Sequence, residues 1–184
     1  STGTITYLQD GQHFVWRSDR DGYGHLYLYR NDGTPVRQVT TGDYDVTDFH
    51  GVDEAAGMVY VTTTAVSPRE RHLYRVPLAG GAPVQLTQAP GWHAVDISRD
   101  FSTFTDTYSN QTTPPVTTLN RIDGTQISVL EDNEALIERL AAYDLPTPEF
   151  MDVPGADDTP LAAYLIKPRD FDPTREYPLL IHTY

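Results

Sequence analysis

The sequence predicts a mainly β chain: about three four-stranded blades of a partial β-propeller, followed by the start of a domain of α/β type. Three observations predict it. Short stretches of alternating apolar and polar residues recur, punctuated by Asp-Gly turns. One 16-residue stretch returns without a gap 47 positions further on. Past residue 132 the pattern changes to a helical period and then to longer, more apolar strands.

In order, "HFVWRSD" (13–19), "HLYLYR" (25–30) and "PVRQVT" (35–40) read as the strands of a first blade that lacks its inner strand. Asp21-Gly22 and Asp32-Gly33 supply the positive backbone dihedrals that tight hairpins require. "GMVYVTTTA" (57–65), "HLYRVPL" (72–78) and "PVQLT" (83–87) form the second blade. "HLYLYRNDGTPVRQVT" lies on "HLYRVPLAGGAPVQLT" with His25 on His72, Leu26 on Leu73, Tyr27 on Tyr74, Gly33 on Gly80, Gln38 on Gln85 and Thr40 on Thr87. That spacing is near the blade period of about 40–50 residues. A looser third copy runs through "HAVDIS" (93–98), "STFTDTYSN" (102–110), "VTTLNRIDGT" (116–125) and "ISVLED" (127–132).

"DNEALIERLAAYDLPTP" then reads as a helix capped by Asp132 or Asn133, with Ala135, Leu136, Leu140 and Tyr143 at helical spacing and Pro146 and Pro148 ending it. Strands resume in "EFMDVPG" (149–155), "TPLAAYLIKP" (159–168) and "YPLLIHTY" (177–184). The domain reading is therefore blades over 1–132, a helical connector over 133–148 and the start of a second domain over 149–184. Propellers close with about 4–8 blades, and a chain ending inside an apolar strand exposes an unpaired edge. Both points predict that 1–184 is a piece of a longer chain.

Composition excludes several function classes. With 26 acidic against 13 basic residues, the net charge of -13 leaves no basic stripe to engage nucleic acid. The absence of cysteine removes disulfides, thiolate metal sites and cysteine nucleophiles. No apolar run approaches the roughly 20 residues of a membrane helix. The six histidines, at 13, 25, 50, 72, 93 and 182, show no metal-ligand spacing, so neither metal nor cofactor is expected. His25 and His72 share a repeat position and read as structural. Asp43, Asp45 and Asp48 in "GDYDVTD" read as an interblade turn rather than a calcium loop. Asp157 and Asp158, between Gly155 and Pro160, read as a hairpin turn rather than a catalytic carboxylate pair. Asp19, Arg20 and Asp21 read as turn and inter-strand contacts, with lining of the propeller tunnel as the functional alternative. Asn110-Gln111-Thr112 is a formal glycosylation sequon, meaningful in a secreted eukaryotic protein.

"WRSDRDGYGHLYLY", "VLEDNEALIERLAAYDLPTPEFMDVPG" and "TPLAAYLIKPRDFDPTREYPLLIHTY" together resemble the junction between propeller and hydrolase in the prolyl oligopeptidase family, in its dipeptidyl peptidase IV branch. The resemblance implies an eight-bladed propeller capping an α/β-hydrolase domain. It also implies a serine, aspartate and histidine triad that releases N-terminal dipeptides from peptides with Pro or Ala second. It places Tyr184 at the family's oxyanion-hole tyrosine, whose neutral O–H can contribute roughly 3–4 kcal/mol to the transition state. No G-x-S-x-G occurs, so nucleophile, acid and base are not in this chain. His182 lies on the same strand face as Tyr184, but the family's base comes from a later loop. Nothing matches the glutamate-bearing insertion that holds the substrate amine. The implied partners are peptide substrate, the rest of the propeller and hydrolase domain, and a second copy in a homodimer; the implied compartment is periplasmic or secreted. Two alternatives stay open: a binding or scaffold propeller with an inactive hydrolase-like domain, and another family member, an oligopeptidase or acylaminoacyl peptidase.

Overall fold

A computed structural model describes residues 5–143 and 145–183. Twelve strands form three separate four-stranded antiparallel sheets, each in simple chain order. The first holds β1 (Ile5–Tyr7), β2 (His13–Ser18), β3 (His25–Arg30) and β4 (Pro35–Gln38). The second holds β5 (Val46–Asp53), β6 (Met58–Thr63), β7 (His72–Pro77) and β8 (Val84–Gln85). The third holds β9 (Trp92–Ile97), β10 (Thr103–Ser109), β11 (Val116–Arg121) and β12 (Gln126–Glu131).

Local chemistry accounts for this meander. At the β3–β4 turn the Gly33 N–H donates to Arg30 O at 2.8 Å while Asp32 Oδ1 accepts from Thr34 N at 2.9 Å. The β11–β12 turn repeats both bonds, Gly124 N to Arg121 O at 2.9 Å and Thr125 N to Asp123 Oδ1 at 2.8 Å. Gly33 and Gly124 sit at φ 87° and 92°, which a side chain would resist. Alternation then sorts the side chains. Val15, Leu26, Leu28 and Val39 of the first sheet meet Val46, Val59, Val61 and Val76 of the second in one apolar cluster. Tyr60, Leu73 and Leu86 of the second meet Phe104 of the third in another, with Val95 and Ile97 packed against it.

Three expectations change. The inner strand that the first blade was expected to lack is present as β1, a three-residue strand. Only residues 42–45 of "GDYDVTD" (42–48), expected to form a turn, lie outside a strand: residues 46–53 are the eight-residue strand β5, whose alternation is hidden by Asp48, His50 and Gly51 and two register shifts. Residues 177–183 are not in a strand, because a strand needs a ladder partner and the described residues supply none there.

The chain divides into two compact units, 1–137 and 138–184, so the division falls inside α1 (Glu134–Ala141). Asp132 Oδ1 accepts from Glu134 N at 3.0 Å, and the Asn133 carbonyl accepts from Leu136 and Ile137, so both cap candidates act, one by side chain and one by backbone. In the second unit β13 (Glu149–Pro154) and β14 (Pro160–Leu165) form one hairpin, paired from Glu149 with Leu165 to Pro154 with Pro160.

Candidate functional site

Tyr184, the expected oxyanion donor, lies outside the described residues. The segment leading to it starts from a tied loop. Tyr177 stacks on Phe171 with centroids 5.2 Å apart, and its hydroxyl accepts from Asp172 N at 2.9 Å. Asp172 Oδ1 in turn accepts from Thr174 N and Oγ1 at 2.9 and 2.7 Å. Lys167 Nζ closes the base of the hairpin on Glu149 Oε2 at 2.6 Å. Beyond Tyr177 the chain carries Leu179, Leu180 and Ile181 exposed at 71%, 93% and 74%. The expected shared strand face of His182 and Tyr184 reaches outside the described residues, and residues 177–183 form no strand.

The blade histidines are built into the sheets. His25 opens β3: its Nε2 donates to the Gly42 carbonyl at 2.9 Å, and its Nδ1 meets Thr40 Oγ1 at 3.1 Å. Thr40 Oγ1 also accepts from Leu26 N at 3.0 Å, so the hydroxyl joins strand end to strand start. The matched position repeats the device, with Leu73 N donating to Thr87 Oγ1 at 3.0 Å and His72 Nδ1 meeting Thr87 O at 3.0 Å. His50 is half-buried, with Nε2 2.8 Å from Thr62 Oγ1; burial pushes its pKa down, opposed by Asp48 and Asp96. His13 holds Asp10 at 2.6 Å beside the β1–β2 turn; the Gln12 N–H first, then His13, pull that carboxyl below its usual range.

The aspartates divide by role. Asp45 Oδ1 accepts from Gly24 N at 2.7 Å and so ties the second sheet's entry to the first. Asp157 Oδ1 accepts from Thr159 N at 3.2 Å inside the β13–β14 turn, where Gly155 N bonds Thr159 O, so the pair serves the hairpin. Among the described residues no group of three or more His, Asp or Glu side chains is arranged to hold a metal ion. Asn110 forms its own turn, its Oδ1 accepting from Thr112 N and Thr113 N at 2.9 and 2.8 Å.

Two constellations come together only in the folded chain. On the first sheet, Arg20 lies over the rings of Tyr27, Trp16 and Tyr29, its Cζ 4.2, 5.2 and 5.6 Å from their centroids. Pairing puts Trp16 opposite Tyr27 and Phe14 opposite Tyr29, so these aromatics share the face turned away from the first apolar cluster. Between the second and third sheets, the rings of His72 and His93 stand 4.9 Å apart. The repeat showed His72 as equivalent to His25 but left its neighbour on β9 unseen.

Successive four-stranded antiparallel meanders, packed sheet face to sheet face, define a segment of a β-propeller. Residues 1–115 match the family described as the dipeptidyl peptidase IV (DPP IV) N-terminal region. The chain belongs to the dipeptidyl peptidase IV family, within the prolyl oligopeptidase group. A probable dipeptidyl-aminopeptidase B of Emericella nidulans is 32% identical over 170 residues, which cover 89% of this chain and 19% of that protein. A probable dipeptidyl peptidase 4 of Aspergillus flavus is 27% identical over 99% of this chain and 24% of its own. The crystal structure of Porphyromonas gingivalis dipeptidyl peptidase 4 superposes with a TM-score of 0.87 at 35% identity, over 95% of this chain and 24% of that one. The chain thus spans about a fifth to a quarter of the relatives it matches. Among the described residues no helix is long and apolar enough to cross a membrane.

Proposed function

We propose that the chain is the part of a serine-type dipeptidyl peptidase in which the propeller gives way to the hydrolase domain. Residues 1–132 are its C-terminal blades, 133–148 a helical connector and 149–184 the start of the α/β-hydrolase domain. The observation that carries this reading is the likeness to the Porphyromonas gingivalis enzyme, which covers 95% of the chain and so extends past the blades. The intact protein releases X-Pro or X-Ala dipeptides from peptide N-termini and works as a homodimer. Blades restrict which peptides reach the catalytic chamber.

In this mechanism Tyr184 is an oxyanion-hole donor. Attack of a serine on the scissile carbonyl places negative charge on its oxygen, and a neutral O–H already aimed there is stabilising without reorganisation. Nucleophile, base and acid come from residues beyond this chain, so the 184-residue chain by itself is inactive. The hairpin clip and the Phe171–Tyr177 stack supply a fixed origin for the segment that ends in Tyr184.

The test is hydrolysis of a Gly-Pro chromogenic amide by the full-length protein and by its Tyr184→Phe variant. Cleavage by wild type, with a loss of about two to three orders of magnitude in kcat and little change in KM for the variant, is expected. Wild-type cleavage undiminished in the variant would remove Tyr184 from the oxyanion hole. No cleavage by wild type would move a binding propeller with an inactive hydrolase-like domain ahead of the peptidase.

A further inference from the structure

The repeat that equates Tyr27 with Tyr74 also assigns each blade face to a neighbour. In the second sheet Val59, Val61, Tyr74 and Val76 belong to the apolar cluster shared with the first sheet, so they face the blade before them. Strand pairing sets Val59 opposite Val76 and Val61 opposite Tyr74. In the first sheet it sets Phe14 opposite Tyr29 and Trp16 opposite Tyr27. The four positions correspond, and Phe14, Trp16, Tyr27 and Tyr29 occupy the face that meets a preceding blade. Both internal seams are built alike: Val46 N donates to Gly24 O at 2.7 Å across the first and Arg71 N to Gly91 O at 3.0 Å across the second, with an apolar cluster filling each.

The outward face of the first sheet differs in chemistry. Three of its four positions carry a larger ring where the second blade has valine. Phe14 and Tyr29 stack with centroids 5.3 Å apart, Tyr7 joins Phe14 at 5.7 Å, and Ile5 pairs opposite Trp16. Arg20 lies over this pavement, and its one hydrogen bond among the described residues runs from Nε to Ser18 Oγ at 3.3 Å. The adjacent Asp21 carboxylate is engaged by the Tyr27 hydroxyl. Two physical limits define what can cover such a face. Facing sheets pack roughly 10 Å apart, so a layer of rings needs small side chains opposite. A guanidinium enclosed between sheets needs an anion, because an unpaired buried charge is costly and a carboxylate matches its fork with two parallel bonds.

We propose that this face docks the blade immediately upstream of residue 1 in the parent chain, and that this blade presents small side chains to the rings and an Asp or Glu carboxylate to Arg20. The chain spans about a fifth to a quarter of its relatives, which leaves room for that blade. The first sheet packs on the second and the second on the third, so neighbours in space are neighbours in sequence. A two-fold contact of this face with a second copy would put two Arg20 guanidinium groups into one interface, which disfavours that occupant. The inference rests on the proposed function in one respect, that blades precede residue 1.

The test is photocrosslinking of the full-length protein with p-benzoylphenylalanine in place of Tyr7, and in a second preparation in place of Ile5, both on the exposed rim of the face. Mass spectrometry is expected to map the crosslinks to the roughly 50 residues before residue 1, one blade period. Crosslinks to any other part of the chain, a crosslinked dimer, or no crosslink from either position overturns the docking surface. A parent sequence with no blade upstream removes this inference and the proposed position of the chain together; an upstream blade that takes no crosslink removes this inference alone. Arg20→Glu is expected to lower the crosslink yield at least about fivefold, and Arg20→Lys, which keeps the charge, to stay within about twofold. An unchanged yield in folded Arg20→Glu, or an equal fall in Arg20→Lys, overturns the carboxylate pairing. Should Arg20→Glu fail to fold, the crosslinked segment decides that point: Asp or Glu within it supports the pairing, and a segment with neither overturns it.

Discussion

The Tyr27 hydroxyl donates to Asp21 Oδ2 at 2.6 Å while the Arg20 guanidinium covers the Tyr27 ring. A turn expected to make inter-strand contacts thus also clamps the aromatic face of the first sheet. Burial, then the Asp21 carboxylate, push the Tyr27 pKa up to about 12 against the opposing pull of Arg20. Because the folded pKa exceeds the unfolded value near 10, this phenol contributes stability below about pH 10 that is lost as pH rises toward about 12. Burial also raises Tyr44, Tyr60 and Tyr74, so an absorbance titration of tyrosine ionisation should show a late phase that is smaller by one phenol in Tyr27→Phe. An unchanged late phase in the variant would reassign it.

Thr40 and Thr87 should be equally costly to replace by valine. Each hydroxyl accepts from a buried backbone N–H and contacts a buried histidine nitrogen, and valine matches the shape while leaving both of those groups without their hydroxyl partner. We expect each variant to lose about 1–3 kcal/mol in urea unfolding with an unchanged m-value. A loss at only one site would mean that the repeat is sequential but not energetic.

Gly91→Ala should disturb the entry to the third blade. At φ 151° its added Cβ would lie 2.6 Å from Ser109 O and 2.9 Å from the Tyr108 ring. Since the Gly91 carbonyl also accepts from Arg71, relief of that clash displaces the bridge between blades. A loss of about 1–3 kcal/mol, with faster exchange of the Arg71 amide, is the expected result. Wild-type stability and exchange in the variant would show that the backbone yields there freely.

The 184-residue chain, expressed alone, should associate at micromolar concentration. Ile5 and Tyr7 on the aromatic side of the first sheet are 49% and 68% exposed, and Leu179, Leu180 and Ile181 are more exposed still. Apolar surface of this kind, beside unpaired edges, favours pairing with another chain. Size-exclusion chromatography with light scattering measures it; a sharp monomer peak would contradict the expectation.

The strand meander was legible because turns and alternation are local. Asp32-Gly33 and Asp123-Gly124 specify their hairpins through bonds within five residues, and the match of His25 to His72 placed two sheets in register with each other. β5 was hidden where Asp48, His50 and Gly51 interrupt the alternation and two register shifts absorb the irregularity. The segment 177–183 misled for the opposite reason: its residues favour a strand, but strand formation is decided by a partner rather than by propensity.

By itself the sequence determined the repeating blade, its turns, the helical break after residue 132 and the family to which the chain belongs. Those features arise from short-range backbone chemistry and from residue order, both written along the chain. The tertiary structure decided what the polar side chains are for. Asp45 ties one blade to the next, Arg20 caps an aromatic face, and His72 meets His93 across a seam. Each depends on side chains from different strands or blades converging in space, and the packing of sheet on sheet brings them together.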